Sequence, residues 1–174
     1  MQALVIWITG IPASGKTTIA NLLKDYYQKH NMPVDILDGD ELRKTLSFDL
    51  GFSEKDRKEH NRRVIFVAKI LSKNGVTTIV PLISPYLETR EFARNEIPNF
   101  VEVWTKASVD ECKRRDPKGL YKKALAGEIT NLTGIQAPYE EPANPELILE
   151  TEKHTPQECL QMILSRLQKL GYLK

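Results

Sequence analysis

A glycine-containing loop near the N-terminus has the residue types that bind phosphate groups. The stretch reads Gly10-Ile11-Pro12-Ala13-Ser14-Gly15-Lys16-Thr17, and Thr18 follows it. Its glycines let the backbone curl around an anion with the N–H groups pointing inward. A helix that begins near Lys16 adds its positive end at the same point. In such loops the lysine reaches the β- and γ-phosphates and the threonine hydroxyl, here that of Thr17, holds Mg²⁺. The motif therefore predicts an ATP·Mg²⁺ site.

The rest of the sequence narrows the kind of nucleotide-dependent protein. A GTPase also needs an Asn-Lys-x-Asp motif to recognise guanine, and the sequence contains none. An ATPase machine usually ends a central apolar strand in an acid, whereas the apolar run over residues 76–83 is followed by Ser84, Pro85 and Tyr86. These features favour a small-molecule kinase, in which other residues bring in the acceptor.

Two acidic residues flank a glycine after the second apolar run. Asp38 and Asp40 follow residues 34–37, at the edge where open α/β sheets bind ligands. Either carboxylate can orient and partly deprotonate an acceptor hydroxyl, or lie near a metal-bound phosphate. Alternatively, the three residues form a turn in which Asp40 caps a helix from Glu41. The residue types alone do not decide between these two interpretations.

Arginines and one aromatic residue follow on the acceptor side. Arg43 lies on the helix after Asp40, and Arg57 and Asn61 lie on the next long helix. A guanidinium offers a bidentate fork for phosphate or sulfate oxygens, although most arginines on amphipathic helices only solvate a face. Phe52 stands just before a helix cap. We expect Phe52 to form either a hydrophobic staple or a platform on which a flat ring stacks.

A basic segment, residues 114–121, closes one predicted helix and opens another. Its Arg, Lys and Gly residues, Lys118 among them, predict a mobile lid that brings positive charge over the phosphates. The alternative is a simple helix stop, since Pro117 and Gly119 end a helix in any case.

The elements that must position these residues alternate along the chain. This pattern predicts an α/β fold: a five-stranded parallel sheet with helices on both faces and a lid, in one domain over residues 1–174. The predicted strands are residues 4–9, 34–37, 76–83, 100–105 and 147–149, and the predicted helices are 16–30, 53–74, 87–97, 108–115, 120–126 and 156–170. Ser53 and Ser108 each precede an acid by three residues, which indicates helix caps. Residues 130–145 predict a long ordered loop.

Composition limits the possible classes of protein. The chain has 174 residues, 41% hydrophobic and 28% charged, as in a globular domain with a core. A net charge of +2 gives no reason to expect a nucleic-acid surface. Cys112 and Cys159 form no disulfide framework, which favours a reducing compartment. We expect no leader or N-terminal extension before the first strand, and no apolar run reaches the ~20 residues that span a membrane. The expected location is cytoplasmic.

Taken together, these segments resemble the adenylylsulfate (APS) kinase family of P-loop kinases. The resemblance runs from the first strand to about Leu147. Its most specific parts are Asp116-Pro117-Lys118-Gly119-Leu120-Tyr121 and the ordered run Thr133-Gly134-Ile135 with Pro138-Tyr139-Glu140. The phosphate loop, Asp38-Gly39-Asp40 with Arg43, Leu50-Gly51-Phe52-Ser53, Arg62-Arg63 and Ile83-Ser84-Pro85-Tyr86 with Arg90 also match.

This resemblance implies a P-loop kinase fold and a homodimer. It also implies transfer of the γ-phosphate of ATP to the 3′-hydroxyl of adenylylsulfate, which gives 3′-phosphoadenylylsulfate and ADP in sulfate activation. By position, Asp38 and Asp40 serve the acceptor ribose and Mg²⁺, while Arg43, Arg57 and Asn61 hold the phosphosulfate group.

Other roles follow from the same resemblance. Phe52 stacks on the acceptor adenine, and Leu132 takes the place of a second, usually aromatic, wall. Lys118 belongs to the lid, and the main chain near Ile83 and Leu120 completes the acceptor pocket. For the ATP adenine, Arg115 and residues 151–155 are candidates on position alone.

Ser84 corresponds to a serine that the family's description treats as a phosphorylated intermediate. Phosphoryl transfer needs in-line positioning and charge stabilisation rather than a covalent step, so Ser84 alternatively hydrogen-bonds the acceptor. The family's usual Glu-Asn-Ile reads Glu59-His60-Asn61 here, which puts the role of Asn61 in question. Pro12 and Ala13 replace small residues in the loop, where only backbone is needed.

Three other functions fit the residues. One is a kinase for another small hydroxyl compound or for a nucleoside monophosphate. Another is a nucleotide-dependent switch that transfers nothing, for which the paired acids at Asp38 and Asp40 have no use. The third is a weak paralogue, which the departures at Leu132 and His60 leave open.

Overall fold

Strands and helices alternate along the chain, as the sequence predicts. A computed structural model describes residues 2–174. The elements are β1 (Val5–Thr9), α1 (Lys16–Lys29), β2 (Val34–Ile36), α2 (Gly39–Lys44), α3 (Glu54–Lys73), β3 (Thr77–Pro81), α4 (Leu87–Glu96), β4 (Phe100–Lys106), α5 (Val109–Arg115), α6 (Leu120–Leu125), β5 (Leu147–Glu150) and α7 (Pro156–Lys169). Most predicted boundaries agree within one or two residues. The third strand ends earlier than predicted, at Pro81, because the next residues turn away from the sheet through Ser84, whose φ is 43°.

The five strands form one parallel sheet in the order β2-β3-β1-β4-β5. Val5 of β1 lies beside Thr78 of β3 and Phe100 of β4, so β1 occupies the centre. The chain passes from β1 to the edge strand β2, returns with β3 beside β1, and then continues on the other side of β1 with β4 and β5. At this reversal the loops after neighbouring strands separate and leave a crevice at the carboxyl ends of the strands. The phosphate loop follows β1 and therefore opens into that crevice.

Helices cover both faces of the sheet, and β1 contributes to both cores. Its alternating side chains place Ile6 and Ile8 against α1 and α7, and Val5 and Trp7 against α3 and α4. A third cluster, built around Tyr121, joins α5 and α6 to the back of the phosphate loop. Because helices cover both faces, the inner strands β1, β3 and β4 are almost fully buried, as expected for a parallel sheet.

Local capping signals set several helix starts. The side chains of Ser53 and Ser108 accept hydrogen bonds from the backbone N–H groups of Asp56 and Glu111, so both predicted caps are confirmed. Thr155 and Glu158 form a capping box at α7. Residues 130–145 form the predicted irregular loop, with one isolated bridge between Thr133 and Ala137. Within residues 2–174, each helix is too short or too polar to cross a membrane.

Candidate active site

The phosphate loop is shaped by close backbone contacts behind it. A Cβ atom on Gly10 would lie 2.4 Å from the Thr105 hydroxyl oxygen, so only glycine fits there. Gly15 has a φ of 96°, in the left-handed region, where glycine is favoured. The Ser14 hydroxyl lies 2.7 Å from that of Thr105, which ties the loop to the end of β4. Contacts within the protein therefore fix the curved shape of the loop.

Lys16 is a buried cation that has no carboxylate partner within residues 2–174. Its Nζ atom donates to the carbonyl oxygens of Gly10 and Ile11, each at 2.8 Å. Burial lowers the pKa of this lysine to about 7, because the charged form has lost its hydration. A phosphate anion in the loop supplies the missing opposite charge, so the site is built for a polyanion.

A single cavity of about 690 Å³ joins the phosphate loop to the acceptor-side residues. Most of the residues predicted from the sequence line it: Pro12, Ala13, Gly15, Lys16, Thr17, Thr18, Asp38, Asp40, Arg43, Phe52, Arg57, Asn61, Ile83, Ser84, Arg115, Lys118 and Leu120. The volume is in the range of small-molecule sites. Side chains from distant parts of the chain therefore meet in one chamber.

Four predicted residues lie outside this lining. Gly10, Ile11 and Ser14 form the back of the phosphate loop, where they contribute shape rather than contact surface. Leu132 is 7% exposed and packs in the cluster of Ile11 and its neighbours. The Leu132 side chain thus packs in the core beneath the loop and not in the cavity lining, and its part in a wall for the acceptor adenine stays a prediction.

Asp38, rather than Asp40, caps the helix after the second strand. The Asp38 carboxylate accepts hydrogen bonds from the N–H groups of Asp40 (2.9 Å) and Glu41 (3.2 Å), and α2 begins at Gly39. The alternative in which Asp40 is the cap is wrong. The Asp40 side chain is consequently free to point across the cavity, where it pairs with Lys118 of the segment between α5 and α6. This ion pair bridges the cavity from the acceptor side to the predicted lid.

Phe52 lies between two arginines at the far end of the cavity. The guanidinium carbon of Arg43 stands 4.5 Å from the centre of the ring, and that of Arg57 stands 5.8 Å away. Arg57 also donates to the carbonyl oxygens of Phe52 (2.9 Å) and Asn131 (2.7 Å), so it holds two loops together. Burial lowers the pKa of both guanidinium groups. This end of the cavity combines positive charge with an exposed aromatic face.

A buried network fixes the turn that follows β3. The indole nitrogen of Trp7 donates to the Ser84 hydroxyl at 3.0 Å, and Ser84 is only 2% exposed. The Arg90 guanidinium donates to the Ser84 carbonyl oxygen and pairs with Glu102 at 2.9 Å. The Thr9 hydroxyl donates to the Ile83 carbonyl oxygen at 2.7 Å. Together these contacts hold Ser84 in its unusual backbone conformation.

The sequence did not reveal the parts that Trp7, Thr9 and Arg90 play in this network. Trp7 and Thr9 belong to an apolar strand, and Arg90 reads as an ordinary helix arginine, yet it is 2% exposed. The one signal in the sequence was that Arg90 matches the sequence pattern of the APS kinase family. Their partners lie far along the chain, as with the 77 positions that separate Trp7 from Ser84.

Arg115 lies at the other end of the cavity, beside the loop after β5. Its guanidinium donates to the Thr151 carbonyl oxygen at 2.7 Å and to the Thr151 hydroxyl at 3.2 Å. His154 and Pro156 line the same wall. Arg115, His154 and Pro156 therefore belong to the same cavity lining as the phosphate loop.

The residues present fit a magnesium ion carried by a nucleotide. Residues 2–174 contain no group of three His, Cys, Asp or Glu side chains that could hold a metal by themselves. Thr17 and Asp40 instead offer single oxygen ligands on the cavity wall. Mg²⁺ prefers such hard oxygen ligands and commonly keeps only one or two from the protein, with phosphates supplying the others.

One cavity joins a phosphate loop to an arginine-lined region, and this combination defines a P-loop phosphotransferase. Residues 2–150 match the sequence model of the adenylylsulphate kinase family, and the chain belongs to this family. It is 48% identical over 173 residues to a probable adenylyl-sulfate kinase of Pyrococcus abyssi, with 99% of both chains covered.

Solved structures agree with this assignment. The structure of the Mycobacterium tuberculosis APS kinase CysC in complex with AMPPNP and APS superposes with a TM-score of 0.92, at 41% identity over 96% of this chain and 98% of that one. A hexameric APS kinase from Thiobacillus denitrificans gives a TM-score of 0.75 at 30% identity; the match covers 99% of this chain and 30% of the other.

Proposed function

We propose that this protein transfers the γ-phosphoryl group of ATP to the 3′-hydroxyl of adenylylsulfate, forming 3′-phosphoadenylylsulfate and ADP. The supporting observation is the continuous cavity that joins the phosphate loop to the arginine-and-aromatic chamber. In the reaction the hydroxyl oxygen bonds to the γ-phosphorus and the bond to the β–γ bridging oxygen breaks. The hydroxyl proton leaves to a carboxylate or to water.

The nucleotide half of this proposal uses the phosphate loop and the Arg115 wall. Backbone N–H groups and Lys16 bind the phosphates, and the adenine lies against Arg115 and residues 151–156. Thr17 and Asp40 would hold Mg²⁺, which would supply positive charge against the phosphate oxygens. Because Asp40 pairs with Lys118, use of the Asp40 carboxylate in the reaction requires release of this contact with the lid.

The acceptor half uses the chamber around Phe52. The adenine of adenylylsulfate stacks on the Phe52 ring, whose face is already attractive to the flat guanidinium of Arg43. Arg43 and Arg57 supply positive charge for the phosphosulfate group. Asp38 and Asp40 line the cavity together with the phosphate loop and Phe52, so either can serve the ribose hydroxyl, and Asp40 is the better base because capping occupies an oxygen of Asp38.

Direct in-line transfer suits the environment of Ser84 better than a phosphoserine intermediate. The Ser84 hydroxyl accepts the Trp7 indole N–H and lies in a nearly closed position. A nucleophilic serine needs a neighbouring base and an open line to the phosphorus, whereas this one is enclosed by core side chains. We assign Ser84 to the shape of the acceptor turn.

The test measures ADP release from ATP·Mg²⁺ with adenylylsulfate, adenylate, shikimate, gluconate or no acceptor. We expect strong turnover with adenylylsulfate alone. Turnover with another acceptor would identify that compound as the substrate instead. ATP binding with no acceptor-dependent turnover would favour a switch or an inactive paralogue.

We also propose that two copies associate through an apolar surface on α3 and α4. Phe66 (64% exposed), Ile70 (44%) and Phe92 (40%) form this α3–α4 face, and the Arg62 guanidinium covers the Phe92 ring at 5.9 Å. Clustered large apolar side chains on a surface indicate an interface. A second copy is the favoured occupant because a relative with the same fold is hexameric.

Light scattering after size-exclusion chromatography tests this association. The parent protein is expected at twice the mass of the chain. Phe66→Glu is expected to give the single-chain mass, while Phe48→Glu, at an 80% exposed site off this face, leaves the dimer intact. A parent protein that elutes as a monomer at micromolar concentration contradicts the proposal.

Because Cys112 and Cys159 are both buried and unpaired, we further propose a reducing, cytoplasmic location.

A further inference from the structure

Several carbonyl oxygens of the phosphate loop accept hydrogen bonds from side chains of the protein. Lys16 holds the carbonyl oxygens of the first two loop residues. Two hydroxyl groups hold two more: that of Tyr121 lies 3.0 Å from the Pro12 carbonyl oxygen, and that of Thr151 lies 3.1 Å from the Ser14 carbonyl oxygen. Tyr121 belongs to α6 and Thr151 follows β5, so two segments that are distant in sequence contact the loop.

Chemistry fixes the direction of both hydroxyl contacts. A carbonyl oxygen only accepts, so each hydroxyl group donates its proton to the loop. Burial raises the pKa of the Tyr121 phenol, which therefore keeps its proton at neutral pH. The Thr151 hydroxyl oxygen accepts from the Arg115 guanidinium at 3.2 Å, and this contact leaves the Thr151 proton for a carbonyl oxygen. The Ser14 carbonyl oxygen is closer to it than that of Lys106, which lies at 3.5 Å.

Peptide planarity converts these contacts into directions for the loop N–H groups. The part of the chain that the structure describes contains no cis peptide bond, and the C=O and N–H groups of a trans peptide point in opposite directions. Because the Pro12 carbonyl oxygen points to Tyr121 in the cluster behind the loop, the Ala13 N–H points away from that cluster. The Ser14 carbonyl oxygen orients the Gly15 N–H in the same way. Ala13 and Gly15 both line the cavity.

The backbone conformation of Ala13 requires support from outside the loop. Its φ is 62°, in the left-handed region, where a Cβ atom crowds the neighbouring carbonyl oxygen. Such a conformation persists only when the surrounding structure holds it, and the Tyr121 hydroxyl holds the peptide on its N-terminal side. Tyr121 is itself fixed, because the Asp116 carboxylate accepts from the N–H groups of Tyr121 (3.2 Å) and Lys122 (3.0 Å) and the ring is buried.

We propose that the Tyr121 and Thr151 hydroxyl groups orient the phosphate loop from outside, so that the Ala13 and Gly15 N–H groups point at the phosphates of the nucleotide. Each hydroxyl acts through a loop peptide, so both are positioning residues. The proposal rests on the nucleotide half of the proposed function and not on the identity of the acceptor. It gives residues 116–121, the most specific part of the family's sequence pattern, a role in nucleotide binding.

Titration with ADP measures the effect on binding, because ADP carries the β-phosphate that such loops bind. Tyr121→Phe removes only the hydroxyl group and is expected to weaken ADP binding about tenfold. Tyr27→Phe, in the core cluster on the other side of the molecule, is the matched control and should bind ADP as the parent protein does. Thr151→Val is expected to weaken ADP binding about fivefold, and Thr151→Ser, which keeps a hydroxyl group, to restore most of the loss. Unchanged ADP binding in Tyr121→Phe, or equal losses in both tyrosine variants, overturns the proposal.

Two further measurements separate positioning from a general loss of stability. In Tyr121→Phe the KM for ATP should rise while the KM for the acceptor stays the same, and equal rises in both overturn the proposal. In ¹H–¹⁵N spectra the Ala13 amide signal, assigned by its loss in Ala13→Gly, should shift when ADP is added to the parent protein and shift less in Tyr121→Phe. An Ala13 signal that ADP leaves unmoved in the parent protein also overturns the proposal.

The ADP titration also distinguishes this inference from the proposed function. A parent protein that binds no ADP contradicts the proposed function, and the inference fails with it. A parent protein that binds ADP, together with a Tyr121→Phe variant that binds it equally well, contradicts this inference alone.

Discussion

The two ends of the active-site cavity are built in different ways. The phosphate-loop end is a continuous piece of backbone whose glycines, buried lysine and contact with Thr105 keep it in shape. The acceptor end is assembled from side chains of separate elements, and several of these pair with one another. Asp40 pairs with Lys118, and Arg43 covers Phe52. The nucleotide therefore meets a preformed site, whereas the acceptor must replace existing contacts.

This difference indicates that nucleotide binding and acceptor binding have separate structural origins in this protein. A preformed anion site loses little conformational entropy on binding, so nucleotide binding depends mainly on one local motif. Acceptor binding releases side chains from one set of partners to another. Substitutions at the two ends should therefore affect different kinetic parameters, and the largest effects are expected where the phosphates bind.

Lys16→Ala is expected to have the largest effect. Removing the buried ammonium takes away the main positive charge opposite the transferred phosphoryl group, so turnover should fall by about 10³-fold, and ATP binding should weaken. Initial rates and ATP titration measure the two effects. Lys24→Ala, on the same helix, serves as the control and should behave as the parent. A Lys16→Ala protein with near-normal turnover would remove the phosphate loop from the mechanism.

A change of pH should reveal the free-energy cost of burying the His60 imidazole at the acceptor end. His60 has a pKa of about 4 in the folded protein, below its ordinary value of 6.5, so the unfolded chain binds more protons between these two pH values. The free energy of unfolding should therefore decline as the pH falls from 6.5 to 4. The loss from this residue is up to roughly 3 kcal/mol. Chemical denaturation at several pH values measures it.

The comparison for this pH effect is His60→Asn, which has no titrating group at the site. Other acidic groups contribute equally to both proteins, so the difference between the two curves isolates His60. Parallel curves over this range would mean that the imidazole is protonated as easily in the folded protein as in the unfolded chain.

Asp40→Asn tests the junction of the two ends. The amide cannot accept the hydroxyl proton or attract the metal as a carboxylate does, so turnover should fall by about 10²-fold. ATP affinity should change little, because the loop itself is intact. Asp110→Asn, whose carboxylate is 94% exposed on α5, is the matched control. Equal losses in turnover and ATP affinity would make Asp40 a structural or metal-binding residue only.

Phe52→Ala should affect the acceptor end alone. Loss of the stacking face is expected to raise the KM for adenylylsulfate by about tenfold, in line with the energy of an aromatic pair, and to leave the KM for ATP unchanged. Phe48→Ala is a close control, since Phe48 is 80% exposed and does not line the cavity. If both variants behave alike, Phe52 is a surface residue and stacking occurs elsewhere.

Ser84→Ala should have the smallest effect. The variant loses one hydrogen bond with Trp7, worth about 1 kcal/mol, and should retain transfer within about fivefold of the parent rate. Mass spectrometry of the parent protein after incubation with ATP should detect no phosphoserine. Complete loss of transfer together with a trapped phosphoserine would establish a covalent route instead.

The phosphate loop, the order of elements and most helix boundaries were predictable because they depend on nearby residues. Gly10 and Gly15 shape a turn through their own backbone freedom, and Ser53 caps a helix three residues away. The alternation of apolar runs predicted the parallel sheet for the same reason. The family resemblance then added roles for the acceptor-side residues, and the match over residues 2–150 confirms the family.

Other features were decided only by the tertiary structure, because they depend on which distant segments meet. Lys118 and Asp40 lie 78 positions apart, and their ion pair exists only because α2 faces the lid across the cavity. Leu132 belongs to the core because α5 and α6 pack behind the phosphate loop, although its place in the sequence suggested the acceptor wall. The contact between His60 and the Ser47 hydroxyl likewise forms only when α3 packs against the loop after α2, since burial and hydrogen-bond partners are properties of packing and not of spacing along the chain.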